Sequence, residues 1–136
     1  MNRHTLDDLA TRVLDAAFEV HRALGPGLLE NAYEMALCHE LTLRGIRFER
    51  QQKLAVTYKG VRLDCGYRLD VIVEGEIILE PKSCEQLLPI HQAILLNYLV
   101  LGCCKLGYLI NFNVRLLKDG IKRMARNLPE SNATTD

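Results

Sequence analysis

Residues 68–83 read RLDVIVEGEIILEPKS, and the period of this stretch decides the architecture. Two apolar runs, 71–73 and 77–79, flank Glu74-Gly75, a pair suited to a two-residue hairpin turn. The second run ends on Glu80, Pro81 and Lys82. Successive side chains of a strand point to opposite faces, so Glu80 and Lys82 share one side and Pro81 takes the other. The hairpin carries Asp70 back toward Glu80, to within a residue or two of register. Two carboxylates and an ammonium therefore converge at the end of a strand whose body is built for a core.

Working outward, FERQQKLAVTY (48–58) alternates and meets VRLDCGYRLDVIV (61–73) at Lys59-Gly60. With EIILEPK (76–82) these segments form an antiparallel meander. Upstream the period is helical. Leu6, Leu9, Val13, Ala16, Ala17 and Val20 predict a helix from about Leu6 to Leu24, with Thr5 and Asp8 in the form of a capping box and Gly25-Pro26-Gly27 as its stop. A second helix is expected from about Leu28 until Gly45. Downstream, PIHQAILLNYLVLG (89–102) is helical, with Pro89 in the first turn and Gly102 at the end. KLGYLINFNV (105–114) reads as a strand buried on both faces. For LLKDGIKRMARNL (116–128) the period leaves a short helix and an edge strand both open. The order α, α, β, β, β, α, β implies a mixed sheet with helices packed on it, in one domain over 1–128, followed by a polar tail at 129–136.

Composition fits such a domain. The 136 residues are 49% hydrophobic and 25% charged, and no apolar run approaches the eighteen or more of a membrane span. Acidic residues from Asp7 onward break any secretory apolar segment, so a cytoplasmic, membrane-free protein is expected. Five cysteines without a C-x-x-C pair suggest free thiols; Cys103-Cys104 reads either as apolar filler or as a strained redox pair. Net charge is zero, which argues against nucleic-acid binding by bulk charge. The charges are unevenly spread, however. Residues 44–68 hold seven basic side chains against Glu49 and Asp64, and Arg115, Lys118, Lys122, Arg123 and Arg126 form a second cluster. Each could face phosphates or be a solvated sheet edge.

Two hard oxygen donors on adjacent strands suit a divalent ion such as Mg²⁺ or Mn²⁺, with the Pro81 carbonyl as a further donor. Lys82 beside them could orient a water or stabilise charge on a phosphodiester in hydrolysis. By spacing alone the competing reading is a surface ion pair at a strand end.

GPGLLENAYEMAL (25–37), with Gly27, Glu30 and Tyr33 at G-x-x-E-x-x-Y spacing, is followed in order by LAVTYKG, YRLDVIVEG, EPK, LLPIH, NYL, LGYLINFNV and LKDGIKR. Over residues 6–126 the chain resembles the small bacterial GxxExxY proteins of the PD-(D/E)XK nuclease superfamily. The resemblance implies an α/β fold: a restriction-endonuclease-like core of αβββαβ order, here with an extra N-terminal helix. It implies a metal-dependent nuclease acting on DNA or RNA, in which Asp70 and Glu80 bind the ion, Lys82 is the lysine of E-x-K, and Glu30 is an accessory acid that helps hold the metal. The alternative is a catalytically inactive module on the same fold that binds nucleic acid or protein. Self-association into a homo-oligomer is open. Two positions depart from the family's pattern: Ile94 stands where a glutamine is common, four residues before Tyr98, and Pro81 where an aliphatic residue is usual. Gln92 is two residues away, a turn of about 200° on a helix. His91 could contact a phosphate or be structural at a helix start, and Tyr33 and Tyr98 could touch substrate or pack at the core edge.

Overall fold

The computed structural model describes residues 1–128, and the tail expected at 129–136 lies outside them. Helix α1 spans Arg3–Leu24 and α2 Glu30–Leu43. Strands β1 (Phe48–Tyr58), β2 (Val61–Val73) and β3 (Ile77–Lys82) follow, then α3 (Pro89–Leu101), β4 (Leu106–Asn111) and β5 (Ile121–Ala125). The order read from periodicity is present. The segment left open resolves as a 3₁₀ turn, Leu117–Gly120, leading into β5, an antiparallel edge strand on β4.

One boundary differs for a definite reason. The N-cap of α1 is Asn2 and not Thr5: its Oδ1 accepts the Thr5 N–H at 2.9 Å and the Thr5 hydroxyl at 3.0 Å, so Thr5 lies inside the first turn. At the other end Gly25, at φ +67°, donates its N–H to the His21 carbonyl and closes the helix as expected.

The five strands lie in the order β1-β2-β3-β4-β5, with β3 and β4 parallel and joined by α3, and all other neighbours antiparallel. Helices cover both faces. On one, α1 and α2 bury Val13, Ala17 and Leu37 against Val71, Leu79 and Tyr108. On the other, Leu95 and Leu99 of α3 pack on Ile72, Ile78 and Leu109. Gly107 of β4 lies directly beneath α3. A Cβ there would stand 3.1 Å from both leucine side chains, so the bare backbone sets how closely the helix approaches.

The strands of the meander are unequal. β1 pairs with β2 from Phe48↔Val73 to Tyr58↔Val61, whereas β2 pairs with β3 only from Val73↔Ile77 to Val71↔Leu79. Beyond that level β1 and β2 continue as a two-stranded arm. Its tip, Lys59 at φ +48° and Gly60 at φ +82°, has the doubly left-handed backbone of a tight hairpin turn.

Candidate active site

Asp70 and Glu80 are the next step of the β2–β3 register after Val71↔Leu79, and they meet where the two strands part. Glu80 is only 4% exposed, and its Oε1 is buried with no hydrogen-bond partner among the described residues. Burial pushes the Glu80 carboxyl from its ordinary value near 4.5 up to about 9. A hydrogen bond to the Asp70 side chain and the charge of Asp70 act in the same direction, and the Lys82 ammonium opposes them. At neutral pH the pair thus retains a proton, because two adjacent carboxylates in a dry setting cannot both ionise cheaply.

The backbone is irregular at this level on both strands. Leu69 and Ile72 belong to the core under α3 while Val71 belongs to the opposite one, so side-chain alternation breaks at Asp70. Across the ladder, between the pairs Arg50↔Val71 and Gln52↔Leu69, Gln51 has φ +52°. A left-handed residue other than glycine in a strand costs about 1–3 kcal/mol and persists only where its surroundings hold it. Here the Gln51 amide donates to Glu34 Oε2 at 3.0 Å and to Asp70 Oδ1 at 3.4 Å.

Glu34 is a residue that sequence reasoning missed. It is buried on α2 and accepts from Arg50 Nη2 at 2.7 Å and Arg50 Nε at 3.0 Å. A signal existed: Leu37, Cys38 and Leu41 follow at three, four and seven residues, so Glu34 stands in the middle of the apolar stripe of α2. A carboxylate in that position requires partners.

Glu30, the first residue of α2, is exposed. The loop before it is nonetheless tied to the site. The Ser83 hydroxyl, one residue past β3, donates to the Leu28 carbonyl at 2.6 Å, so the start of α2 lies beside the strand end that carries Lys82. Tyr33 fixes the same loop from within: its ring stacks flat on Phe112 at 4.6 Å, and its hydroxyl donates to the Gly25 carbonyl while accepting the Leu28 N–H. This gives the G-x-x-E-x-x-Y spacing a physical role. The tyrosine, one helical turn below the glutamate, locks the turn from which the glutamate projects. Tyr33 is therefore in the core, and Tyr98, half-buried and edge-on to Tyr67 at 6.3 Å, is the tyrosine near the acid pair. Its hydroxyl pKa is raised by burial first and then by Glu80 and Asp70.

Pro81 raises no conflict with the ladder. Lys82 accepts the Phe112 N–H at 2.9 Å, so the main chain of Lys82 faces β4. That of Pro81, one residue earlier, faces the side that β2 has already left. The missing N–H falls beyond the last β2–β3 pair, where the ladder has no bond to lose, and the Pro81 carbonyl is turned to the same side. His91 is held in the first turn of α3, its Nδ1 accepting the Leu88 N–H at 2.9 Å, which is the structural use of the two considered. Ile94 lines a groove of about 320 Å³ with Val56, Tyr67 and Tyr98, and Gln92 is half-buried. Cys104 packs in the core under α3, and burial raises its thiol to about 11, while Cys103 is exposed. This is the environment of filler and not of a reactive pair.

Asp70, Glu80 and Lys82 are thus brought together, with Glu34 and Gln51 behind Asp70 and Glu30 exposed at the same end of the sheet. Among the described residues no three acidic, histidine or cysteine side chains gather closely enough to enclose an ion. The donor set nevertheless fits a divalent cation, since Asp70 and the orphaned Glu80 oxygen supply adjacent carboxylate oxygens.

No described helix is long and apolar enough to cross a membrane. Comparison with known proteins found no match among curated proteins and none among solved structures. The family model of the PD-(D/E)XK nuclease superfamily, in contrast, matches residues 7–124, a span that runs from α1 into β5 and contains every residue of the site. The five-stranded mixed sheet with helices on both faces has the restriction-endonuclease-like order of that superfamily. On this match and this fold, the chain belongs to the PD-(D/E)XK nuclease superfamily.

Proposed function

We propose that the chain is a metal-dependent nuclease of the GxxExxY group that hydrolyses phosphodiester bonds in nucleic acid. Asp70 and Glu80 hold the ion, Lys82 serves the reaction, and Glu30 is an accessory acid. The observation that carries this reading is the buried, unpartnered Oε1 of Glu80 beside the Asp70 carboxyl. A group whose isolation costs stability is best explained by a ligand that it receives. Mg²⁺ or Mn²⁺ bound there supplies Lewis-acid polarisation of the phosphodiester.

The chain's own residues do the rest. Glu80 would hold the ion as a carboxylate, its proton passing to solvent. Lys82, on the same side of β3, opposes the charge that builds on the phosphate oxygens and orients the attacking water. Gln51 and Glu34 hold the Asp70 carboxylate from behind. The described cysteines are all free thiols, in keeping with the reducing cytoplasm, where we place the protein.

The second reading is a non-catalytic binding module, favoured by Ile94 in the apolar groove beside Tyr98. Incubation with single- and double-stranded DNA and RNA in Mg²⁺ or Mn²⁺ separates the two. Cleavage that Lys82→Ala abolishes supports the nuclease. No cleavage of any substrate, or equal cleavage by the variant, supports the module.

A further inference from the structure

Beyond Asp70 the β1–β2 arm stands clear of β3, and its two faces differ in chemistry. Leu54 and Tyr67, paired across the ladder, turn toward α3: Leu54 joins the core around Leu95, and Tyr67 meets Tyr98. The preceding pair, Lys53↔Arg68, therefore points the other way. Past the register shift between Leu54 and Val56 the same rule holds. Val56 lines the groove with Tyr98, so Thr57 and its partner Arg62 turn away from α3. Lys59 occupies the tip, 5.4 Å above the Tyr58 ring.

All four cations are exposed. Among the described residues Lys53, Lys59 and Arg68 have no ion-pair partner, and Arg62 has only Asp64 at 3.4 Å, a pair so open to solvent that it neutralises little. Like charges set directly opposite in a ladder repel, so Lys53 facing Arg68 is a cost to the isolated chain. An external polyanion would turn it into a gain. Arg68 also lies two residues before Asp70 on the same strand; alternation breaks at Asp70 and β2 and β3 part there, so the row of cations runs from the tip to the opening in which the acid pair meets, with Glu80 on the α3 side of it.

From these observations we infer that the basic face of the arm is a track for a nucleic-acid backbone, which delivers a phosphodiester to Asp70 and Glu80. The role of the track in delivery rests on the nuclease reading, whereas its binding of phosphates does not. Such contacts bind charge and shape without reading bases. They act locally, so a net charge of zero is no obstacle.

Fluorescence anisotropy with short labelled DNA and RNA oligonucleotides, single- and double-stranded, tests this in EDTA, where no divalent ion is available for cleavage. The triple variant Lys53→Ala/Arg62→Ala/Arg68→Ala should bind about tenfold or more weakly, with a salt dependence shallower by about 1 for each cation lost. The charge-preserving Lys53→Arg/Arg68→Lys variant should bind like the parent. The inference is overturned if the parent binds no oligonucleotide, if the triple variant keeps the parent's affinity and salt slope, or if only Lys118→Ala/Lys122→Ala in the C-terminal cluster weakens binding. A parent that binds through the arm yet cuts nothing in Mg²⁺ supports the track and refutes the nuclease reading. A triple variant that cuts with unchanged kcat/KM refutes the track and leaves the nuclease reading intact.

Discussion

Glu34 and Arg50 form a 2.7 Å ion pair in which the carboxylate is nearly sealed, its side chain 7% exposed, and the guanidinium remains partly wet. The pair joins α2 to β1 and also anchors Gln51, which reaches Asp70. Glu34→Ala leaves Arg50 and Gln51 without their shared acceptor and should cost about 1–3 kcal/mol in urea unfolding. Glu34→Gln keeps the shape and should cost less. If the network positions Asp70, the Gln variant lowers kcat and leaves KM near the parent value; unchanged kcat in a folded Glu34→Gln protein argues against that role.

The raised Glu80 carboxyl has a consequence for stability. In the unfolded chain Glu80 ionises near 4.5 and in the metal-free fold only at about 9. Between these values the folded state holds the extra proton, so the contribution of Glu80 is fully present below about pH 4.5 and is lost as pH rises toward 9. The slope from this group is at most about 1.4 kcal/mol per pH unit. Glu80→Gln, which cannot ionise, should flatten the profile and make the metal-free protein more stable at pH 8. Denaturant melts at pH 5, 6, 7 and 8 in EDTA would measure both proteins, and parallel profiles would remove the buried proton from the account.

Divalent ions should reverse that order. Mg²⁺ or Mn²⁺ held by Asp70 and Glu80 stabilises the parent by about 2.7 kcal/mol at one hundred times its Kd and displaces the shared proton. Asp70→Asn and Glu80→Gln should lose the rise in Tm, and calorimetry in buffers of different ionisation enthalpy should detect proton release in the parent alone. A Tm rise retained by Asp70→Asn would locate the ion elsewhere.

Pro81→Ala restores a backbone donor at a buried position on the side of β3 that β2 has left. The change should lower stability by about 1–3 kcal/mol, through a donor buried without a partner and the greater freedom of the unfolded chain, and should leave cleavage in place. A large loss of activity with an unchanged melt would mean that the fixed φ of proline itself shapes the site.

Tyr33→Phe keeps the stack on Phe112 and removes the hydroxyl that serves Gly25 and Leu28. It should cost about 1–2 kcal/mol. Faster amide exchange at Leu28, whose partner is gone, would register the loosened turn, and unaltered exchange would show that Ser83 alone holds it.

Local order was legible because each segment declares its own period. β1 and β2 begin and end where alternation and the two hairpin turns put them. The nearness of Asp70 to Glu80 was legible from the same counting, but the register was not: a two-residue turn at Glu74-Gly75 would set Asp70 opposite Leu79, whereas the observed loop takes in Glu76, pairs Val73 with Ile77 and brings Asp70 into step with Glu80. What stayed out of reach depends on contacts distant in sequence. Gln51 and Glu34 are seventeen residues apart, and nothing in either segment says that a strand glutamine will adopt a left-handed backbone to reach a helix. Three-residue spacing aligns Glu30 with the buried Tyr33, but at the first position of α2 that alignment does not bury it. The edge strand β5 was ambiguous because five residues are too few to distinguish two periods.

The parting of β2 from β3 divides the site between two mechanical bodies. Glu80 and Lys82 ride on β3, which is bonded to β4 through the end of the strand, whereas Asp70 rides on β2, whose last pair with β3 is Val71↔Leu79. The spacing of the two acids is therefore set by how the two strands diverge past that pair.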